Sequence, residues 1–349
     1  MSQATVSAPT PTVDERVKPH SLLHKLLGRP ELGSLVGAIV IYVFFFVVAE
    51  PFRSAAALST VLYVSSTYGI MAVGVALLMI GGEFDLSAGV AVTTSALAAS
   101  LFAFQFSLNV WVGVLFGLAM ALAIGFVNGY LVMRTGIPSF LITLGSFLML
   151  QGLNLAVTKL LTGQVASQSI QDMDGYNLAS KIFASEFNIG GVSVRITVIY
   201  WLIFVAIATW ILLRTKVGNW IYAVGGDAES ARAVGVPVAK TKIGLFMGVG
   251  FLAWFSGMHL LFRFDTVQSG EGVGNEFIFI IAAVIGGCML TGGYGTAVGA
   301  AIGAFIYGMT NQGIVYAGWN PDWVKFFLGL MLLLATVTNL WVKNQASRR

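Results

Sequence analysis

Leu58 to Ile80 reads LSTVLYVSSTYGIMAVGVALLMI, an unbroken run with no charged residue. Crossing the hydrocarbon core of a bilayer takes about 20 mostly apolar residues, so this run is long enough on its own. In lipid the backbone must satisfy its own hydrogen bonds, which a single run does only as a helix. Comparable runs lie at Ser34–Ala49, Ala88–Phe106, Leu108–Met133, Ser139–Thr158, Ile196–Leu213, Ile243–Phe262, Phe277–Leu290, Thr296–Ala317 and Phe326–Val342. The expectation is an all-α integral membrane protein of about ten transmembrane helices, with the first and eighth runs short for a crossing. The charged side chains fall between these runs.

Composition agrees. Of 349 residues, 57% are hydrophobic and 10% charged, against roughly 25% charged in a soluble domain. A soluble enzyme, a nucleic-acid-binding module and a disordered chain are excluded. The net charge of +4 is explained by cationic loops on the cytoplasmic side. With the amino terminus inside and ten crossings, Arg16, Lys18, Lys25, Arg29, Arg134, Arg214, Lys216, Arg232, Lys240, Lys242, Lys343, Arg348 and Arg349 lie inside. That is 13 of the 19 Lys and Arg, leaving 19 − 13 = 6 outside, so both termini are placed in the cytoplasm.

The chain divides accordingly. Residues 1–33 form a cytoplasmic tail, in which Leu22, Leu23, Leu26 and Leu27 make either a short amphipathic turn or a loose linker. Residues 34–342 form the transmembrane domain and 343–349 a second cytoplasmic tail. Within the domain, 161–195 is an external loop, either a docking surface or a plain connection. Residues 214–242 form the most basic inner loop. Glycines four apart (Gly113 and Gly117, Gly125 and Gly129, Gly244 and Gly248, then Gly295, Gly299 and Gly303) are spaced for close helix packing.

Few residues offer chemistry. The single cysteine, Cys288, precludes an internal disulfide. His20, His24 and His259 are scattered, fit surface or lipid-interface positions, and give no metal site. No GxxxxGK[ST] phosphate loop occurs. Glu83 and Asp85 stand between uncharged runs with no Lys or Arg nearby in sequence, which marks them as functional candidates. Asp85, followed by Leu86 and Ser87, also suits a helix cap. Amides buried in the runs, namely Asn128, Gln151, Asn154, Asn311 and Gln312, could line a polar path or bond helices together. Gln151 and Asn154, three apart, share a helix face.

The inner loop carries Gly225-Gly226-Asp227-Ala228-Glu229-Ser230-Ala231-Arg232-Ala233-Val234-Gly235. Asp227 can cap a short helix, Glu229 sits in its first turn and Gly235 ends it. Such a helix is either a lever between two membrane helices or an interfacial element. The segment resembles the coupling loop, close to G-G-N-x-x-A-A-R-x-x-G, of permease subunits in bacterial ABC importers for simple sugars, the ribose/xylose-type branch. Gly225, Gly226, Ala231, Arg232 and Gly235 match; Asp227 replaces Asn and Ser230 replaces Ala.

Three further segments resemble the same family. Gly81-Gly82-Glu83-Phe84-Asp85-Leu86-Ser87-Ala88-Gly89 resembles G-G-x-D-L-S-x-G with one added residue. Asn128-Gly129, followed by Pro138-Ser139-Phe140-Leu141-Ile142-Thr143-Leu144-Gly145, resembles N-G-x9-P-x-F-x-x-T-L-G. Gly286-Gly287 with Thr291-Gly292-Gly293-Tyr294-Gly295-Thr296 and Gly299 resembles G-G-x4-G-G-x-G-S/T-x-x-G. The family's acidic pair before the last motif is half kept: Glu276 stands, and Ile278 takes the second place.

The resemblance implies a permease that is not catalytic alone and binds no cofactor itself. ATP and Mg would be held by a separate ABC ATPase docked at Gly225, Gly226, Asp227, Glu229, Ala231, Arg232 and Gly235. An external sugar-binding protein and a second permease chain, either an identical copy making a homodimer or a different chain, would complete the assembly in the bacterial inner membrane. Two other readings compete. An ion-coupled sugar transporter would carry ionisable groups within its helices, and a scaffold or receptor would need no water path.

Overall fold

The structure is a computed structural model and describes residues 30–347. The tail calls on Leu22, Leu23, Leu26, Leu27, His20 and His24 lie outside the described residues, as do Arg348 and Arg349. Each of the ten uncharged runs coincides with a helix. These are α1 (Pro30–Val48), α2 (Ala55–Ile80), α3 (Ala88–Gln105), α4 (Val110–Thr135), α5 (Ser139–Thr162), α7 (Ile196–Arg214), α10 (Val238–Phe264), α11 (Asn275–Ile285), α12 (Ala297–Tyr316) and α13 (Trp323–Ser347). Three short helices complete the described set: α6 (Tyr176–Phe183), α8 (Lys216–Gly226) and α9 (Ala228–Ala233).

By length and composition, seven of the described helices can cross a membrane: α1 to α5, α7 and α10. Helix α11 has only 11 residues, about 16 Å at 1.5 Å per residue, and cannot reach across a core about 30 Å thick. The run at Phe277–Leu290 breaks because Gly287 adopts φ +93° and turns the chain out of the helix. Other boundaries shift outward, so helices take in Arg134, Lys159, Lys240 and Lys242. The residues 343–347 assigned to a tail continue α13.

The expectation of an all-helical chain also needs amending. Within 161–195, helix α6 is followed by an antiparallel hairpin, β1 (Glu186–Ile189) and β2 (Val192–Arg195), paired Glu186 to Arg195 through Ile189 to Val192. The segment is therefore structured. Its turn is Gly190-Gly191, both at positive φ, as a two-residue hairpin requires.

Helices α2, α3 and α10 form the hub, with 67%, 72% and 67% of their apolar windows buried, against 17% for α1 and α5. The outer helices expose their apolar faces, as lipid-facing helices do. The glycine spacing explains the hub's closeness. A Cβ on Gly113 would fall 2.2 Å from Ala99 O of α3, and one on Gly125 would fall 2.4 Å from Phe246 O of α10. On α12, Gly299 and Gly303 meet Gly286 O and Ala282 O at 2.0 and 1.9 Å in the same sense. Gly244 and Gly248 face open space and pack nothing, and Gly295 precedes α12 rather than lying in it.

Candidate functional site

The helix at Ala228–Ala233 forms as its sequence predicts. Asp227 Oδ1 accepts the backbone N–H groups of Glu229 and Ser230, both at 2.9 Å. At the far end Gly235 N donates to Arg232 O and Val236 N to Ala231 O, each at 3.0 Å, with Gly235 at φ +86°. This is the paired closure of a helix ending on a left-handed glycine. Ala231 is buried against Val224 and Val238. Asp227, Glu229 and Arg232 are exposed, and Val234 is 80% exposed. One face of α9 is therefore seated on the bundle, and the other offers two acids, a base and a bare valine.

Beneath α9 three segments meet backbone to backbone. The end of α2, the end of α8 and the loop 286–296 cross at their glycines. Gly293 N donates to Ile80 O at 2.8 Å. A Cβ on Gly225 would lie 1.7 Å from that same oxygen, and one on Gly292 would lie 2.6 Å from Gly225 O and 2.8 Å from Gly82 Cα. Tyr222 on α8 donates its hydroxyl to Gly295 O at 2.9 Å. The three Gly-Gly motifs quoted above are thus one junction, and α9 follows directly on the helix, α8, that enters it.

From this junction residues 81–87 run as a non-helical strap through the bundle. Irregular backbone in such a setting needs partners for its N–H groups. They come from α5: Phe84 N donates to Ser139 Oγ at 3.0 Å and Leu86 N to Thr143 Oγ1 at 3.1 Å. Asp85 Oδ1 accepts from Ser87 N and Ser87 Oγ at 2.8 and 2.6 Å. Asn128 Nδ2 donates to Ser87 Oγ at 2.9 Å, and Ser146 Oγ donates to Asn128 Oδ1 at 2.6 Å. All four side chains are buried. Asp85, Ser87 and Asn128, predicted as separate candidates, form one closed network that holds the strap to α4 and α5. Ser139, Thr143 and Ser146 were missed as partners, although two of them sit inside a quoted motif.

Glu83 is not isolated. Lys242 of α10, expected in the inner loop, reaches it as a buried ion pair. A buried carboxylate needs such a partner, and the sequence placed the two 159 positions apart. Glu276 is also buried, in the first turn of α11, where its oxygens accept Gly274 N at 3.0 and 3.2 Å. Ile278 packs into an apolar cluster with Phe45 and Tyr307. Gln312 donates to Asn311 within α12 at 2.9 Å. Asn154 lines a largely apolar groove of about 440 Å³ between α3, α4 and α5, and Gln151 does not join it.

A cavity of about 310 Å³ lies in the half of the bundle away from α9, between α2, α3, α10, α11 and the loop before α11. Tyr63, Thr67, Tyr68, Thr93, Ser256, His259, Glu271 and Asn275 supply its polar lining, and Phe264 and Phe279 two aromatic faces. None of the sequence-derived path candidates lines it. His259 is not a surface residue: it is 4% exposed, with Nδ1 at 2.8 Å from Phe183 O of α6 and Nε2 at 3.2 Å from Tyr63 Oη. The hairpin also grips Tyr63, since the guanidinium of Arg195 on β2 sits 5.5 Å over its ring. These lining residues are single hydroxyls and rings spread over distant helices, a pattern without a sequence motif. Among the described residues no cluster of His, Cys, Asp or Glu could hold a metal ion.

Broken helices, a non-helical strap within a helical bundle and a mostly apolar cavity with hydroxyls in its lining suit a membrane transport protein. Residues 57–336 match the family described as "Branched-chain amino acid transport system / permease component", and the chain belongs to that family. It is 28% identical over 329 residues to the fructose import permease protein FrcC of Rhizobium meliloti, covering 93% of this chain and 89% of that one. It is 30% identical over 311 residues to the ribose import permease protein RbsC of Escherichia coli K12, covering 88% and 93%. It is 30% identical over 290 residues to the galactose/methyl galactoside import permease protein MglC of Haemophilus influenzae, covering 79% and 84%. These relatives are sugar ABC import permeases. No solved structure matches the chain.

Proposed function

We propose that the chain is the permease subunit of an ATP-driven, binding-protein-dependent importer that passes a monosaccharide or related polyol by alternating access. The carrying observation is the capped helix α9, exposed on one face and seated by the other over the glycine junction, where α2, α8 and the loop 286–296 cross. Force delivered to α9 reaches the strap and α11–α12 through backbone contacts that cannot slacken. The names of the relatives support a sugar as cargo.

In this reading α9 and both termini face the cytoplasm, and a separate ABC ATPase holding ATP and Mg docks on Asp227, Glu229, Arg232 and Val234. The hairpin end faces out toward a sugar-binding protein. Two copies of the chain form the unit, in the bacterial inner membrane.

The test is uptake in proteoliposomes holding the permease with its ATPase and binding protein. Uptake is expected to require ATP, and D227A/E229A/R232A is expected to hydrolyse ATP without uptake. Sugar accumulation on an ion gradient alone would refute the ATP-driven reading, and intact uptake in the triple variant would remove α9 from it.

A further inference from the structure

Most hydroxyls on the hub helices return to their own backbone: Ser66 and Thr67 donate to Tyr63 O, and Thr94 donates to Val90 O. Two do not. Thr93 Oγ1 on α3 and Ser256 Oγ on α10 are buried and have no hydrogen-bond partner, in residues only 1% and 9% exposed. Both residues line the cavity. A buried hydroxyl without a partner keeps its full desolvation cost, so two of them on one cavity wall point to a ligand that satisfies them.

The Tyr63–His259 pair fixes the polarity of a third group. Phe183 O can only accept, so His259 Nδ1 carries the hydrogen and, in the neutral ring, Nε2 accepts from the Tyr63 hydroxyl. The Tyr63 oxygen is left as an acceptor at the cavity. Glu271 is the one charged residue of the lining, which includes no Lys or Arg. Acceptors, hydroxyls and a carboxylate suit a ligand rich in O–H donors and disfavour an anion. The volume stands at the lower end of the roughly 300–1,000 Å³ of small-molecule sites.

We infer that this cavity is the recognition site for a neutral polyhydroxylated solute, with Thr93 and Ser256 bonding its hydroxyls and His259 positioning the Tyr63 hydroxyl to accept from it. The inference rests on the transport reading and adds to it the site and the residues that would hold the solute. Gly272 packs against α3 beside the site: a Cβ there would lie 2.2 Å from Gly89 O and 2.5 Å from Thr93 Oγ1.

The experiment uses the reconstituted complex with radiolabelled D-ribose, D-fructose, D-galactose and myo-inositol, following the compound transported. T93V/S256A is expected to lower uptake about tenfold or more, the worth of a lost solute hydrogen bond or two, while ATP hydrolysis stimulated by the loaded binding protein stays within about twofold. T93S, which keeps the hydroxyl, is expected to recover uptake. Y63F and H259F are expected to lower uptake alike, with the double variant no worse than either, because they act as one unit. Unchanged uptake in T93V/S256A overturns the site, and so does a parallel fall in uptake and ATP hydrolysis, which marks a structural role.

A second arm does not depend on the cargo. With Cys288 replaced by Ser, S256C is expected to react with 2-aminoethyl methanethiosulfonate during ATP turnover, and failure to react overturns the site. If the wild-type complex moves none of the four compounds with ATP, the transport reading fails by itself, and labelling still decides whether Ser256 faces a solvent-filled cavity.

Discussion

At the glycine junction a Cβ on Gly225 would fall 1.7 Å from Ile80 O, whereas at the cavity the hydroxyls of Thr93 and Ser256 meet no partner at all. One region has no spare room and is made of backbone; the other encloses a cavity of about 310 Å³ and is lined by side chains. The difference fits the two tasks proposed for these regions. A contact that transmits displacement must be stiff, and close-packed interiors are. A site that receives and releases a solute must leave its polar groups free for it.

The sharpest way to break the comparison is to add one methyl group on either side of the same peptide. G225A drives a Cβ into Ile80 O and to within 2.7 Å of Gly293 N, while a Cβ on Gly226 meets nothing within 4 Å. G225A is expected to abolish assembled, active permease, because backbone cannot rotate away as a side chain can. G226A is expected to stay within about twofold of wild-type uptake, an exposed change being nearly neutral. Chromatographic profile and uptake check both, and an active G225A would show that the junction is slack.

Next in size is the ion pair that fastens the strap to α10. Lys242→Met leaves Glu83 buried without its partner, a loss of about 3–5 kcal/mol. Thermal unfolding of the purified complex should show it, with E83Q/K242M less damaged than K242M alone because no charge is stranded. Equal damage in the two would mean that water reaches Glu83. Smaller again is N128A, which unlinks Ser146 from Ser87 and should cost about 1–3 kcal/mol. Adding S146A to N128A should cost little more, since neighbours in one network are not additive.

The same contrast explains what was legible in sequence. The glycines of the junction and strap stood out in sequence as motifs, though not as partners, because backbone crossings admit only glycine and their turns demand Gly82 and Gly292 at positive φ. Local chemistry was legible for the same reason: the Asp227 cap and its closing Gly235 lie eight positions apart. The strap's acceptors on α5 were visible as a motif but not as partners, because Phe84 and Ser139 are 55 positions apart. The cavity was not legible. Thr93, Ser256, Tyr63 and His259 come from three helices, each residue type is ordinary there, and only packing makes them neighbours. The amides Asn311, Gln312 and Asn154 do not line this cavity, and a polar residue in a greasy helix has the same signature whether it faces a path or a neighbouring side chain.

The smallest expected effect on stability falls at Asp227, where the cap is fully exposed and only α9 depends on it. The N–H groups of Ser230 and Glu229 hold its carboxyl below the ordinary carboxylate range. A depressed folded value means that the cap's contribution is complete above the unfolded pKa of about 3.9 and is lost as pH falls through the folded value. Amide exchange at Glu229 and Ser230 should therefore be indifferent to pH near neutrality, once intrinsic rates are allowed for, and lose protection only in strong acid. D227A should remove that protection at every pH and lower coupled uptake several-fold, with the melting temperature almost unmoved. D227N should keep most of the uptake, because an asparagine oxygen caps as well as an aspartate, and should show no acid transition at these amides. If D227A loses amide protection yet transports like the wild type, α9 need not be ordered to pass on force, and the junction beneath it would have to take up the ATPase's motion directly.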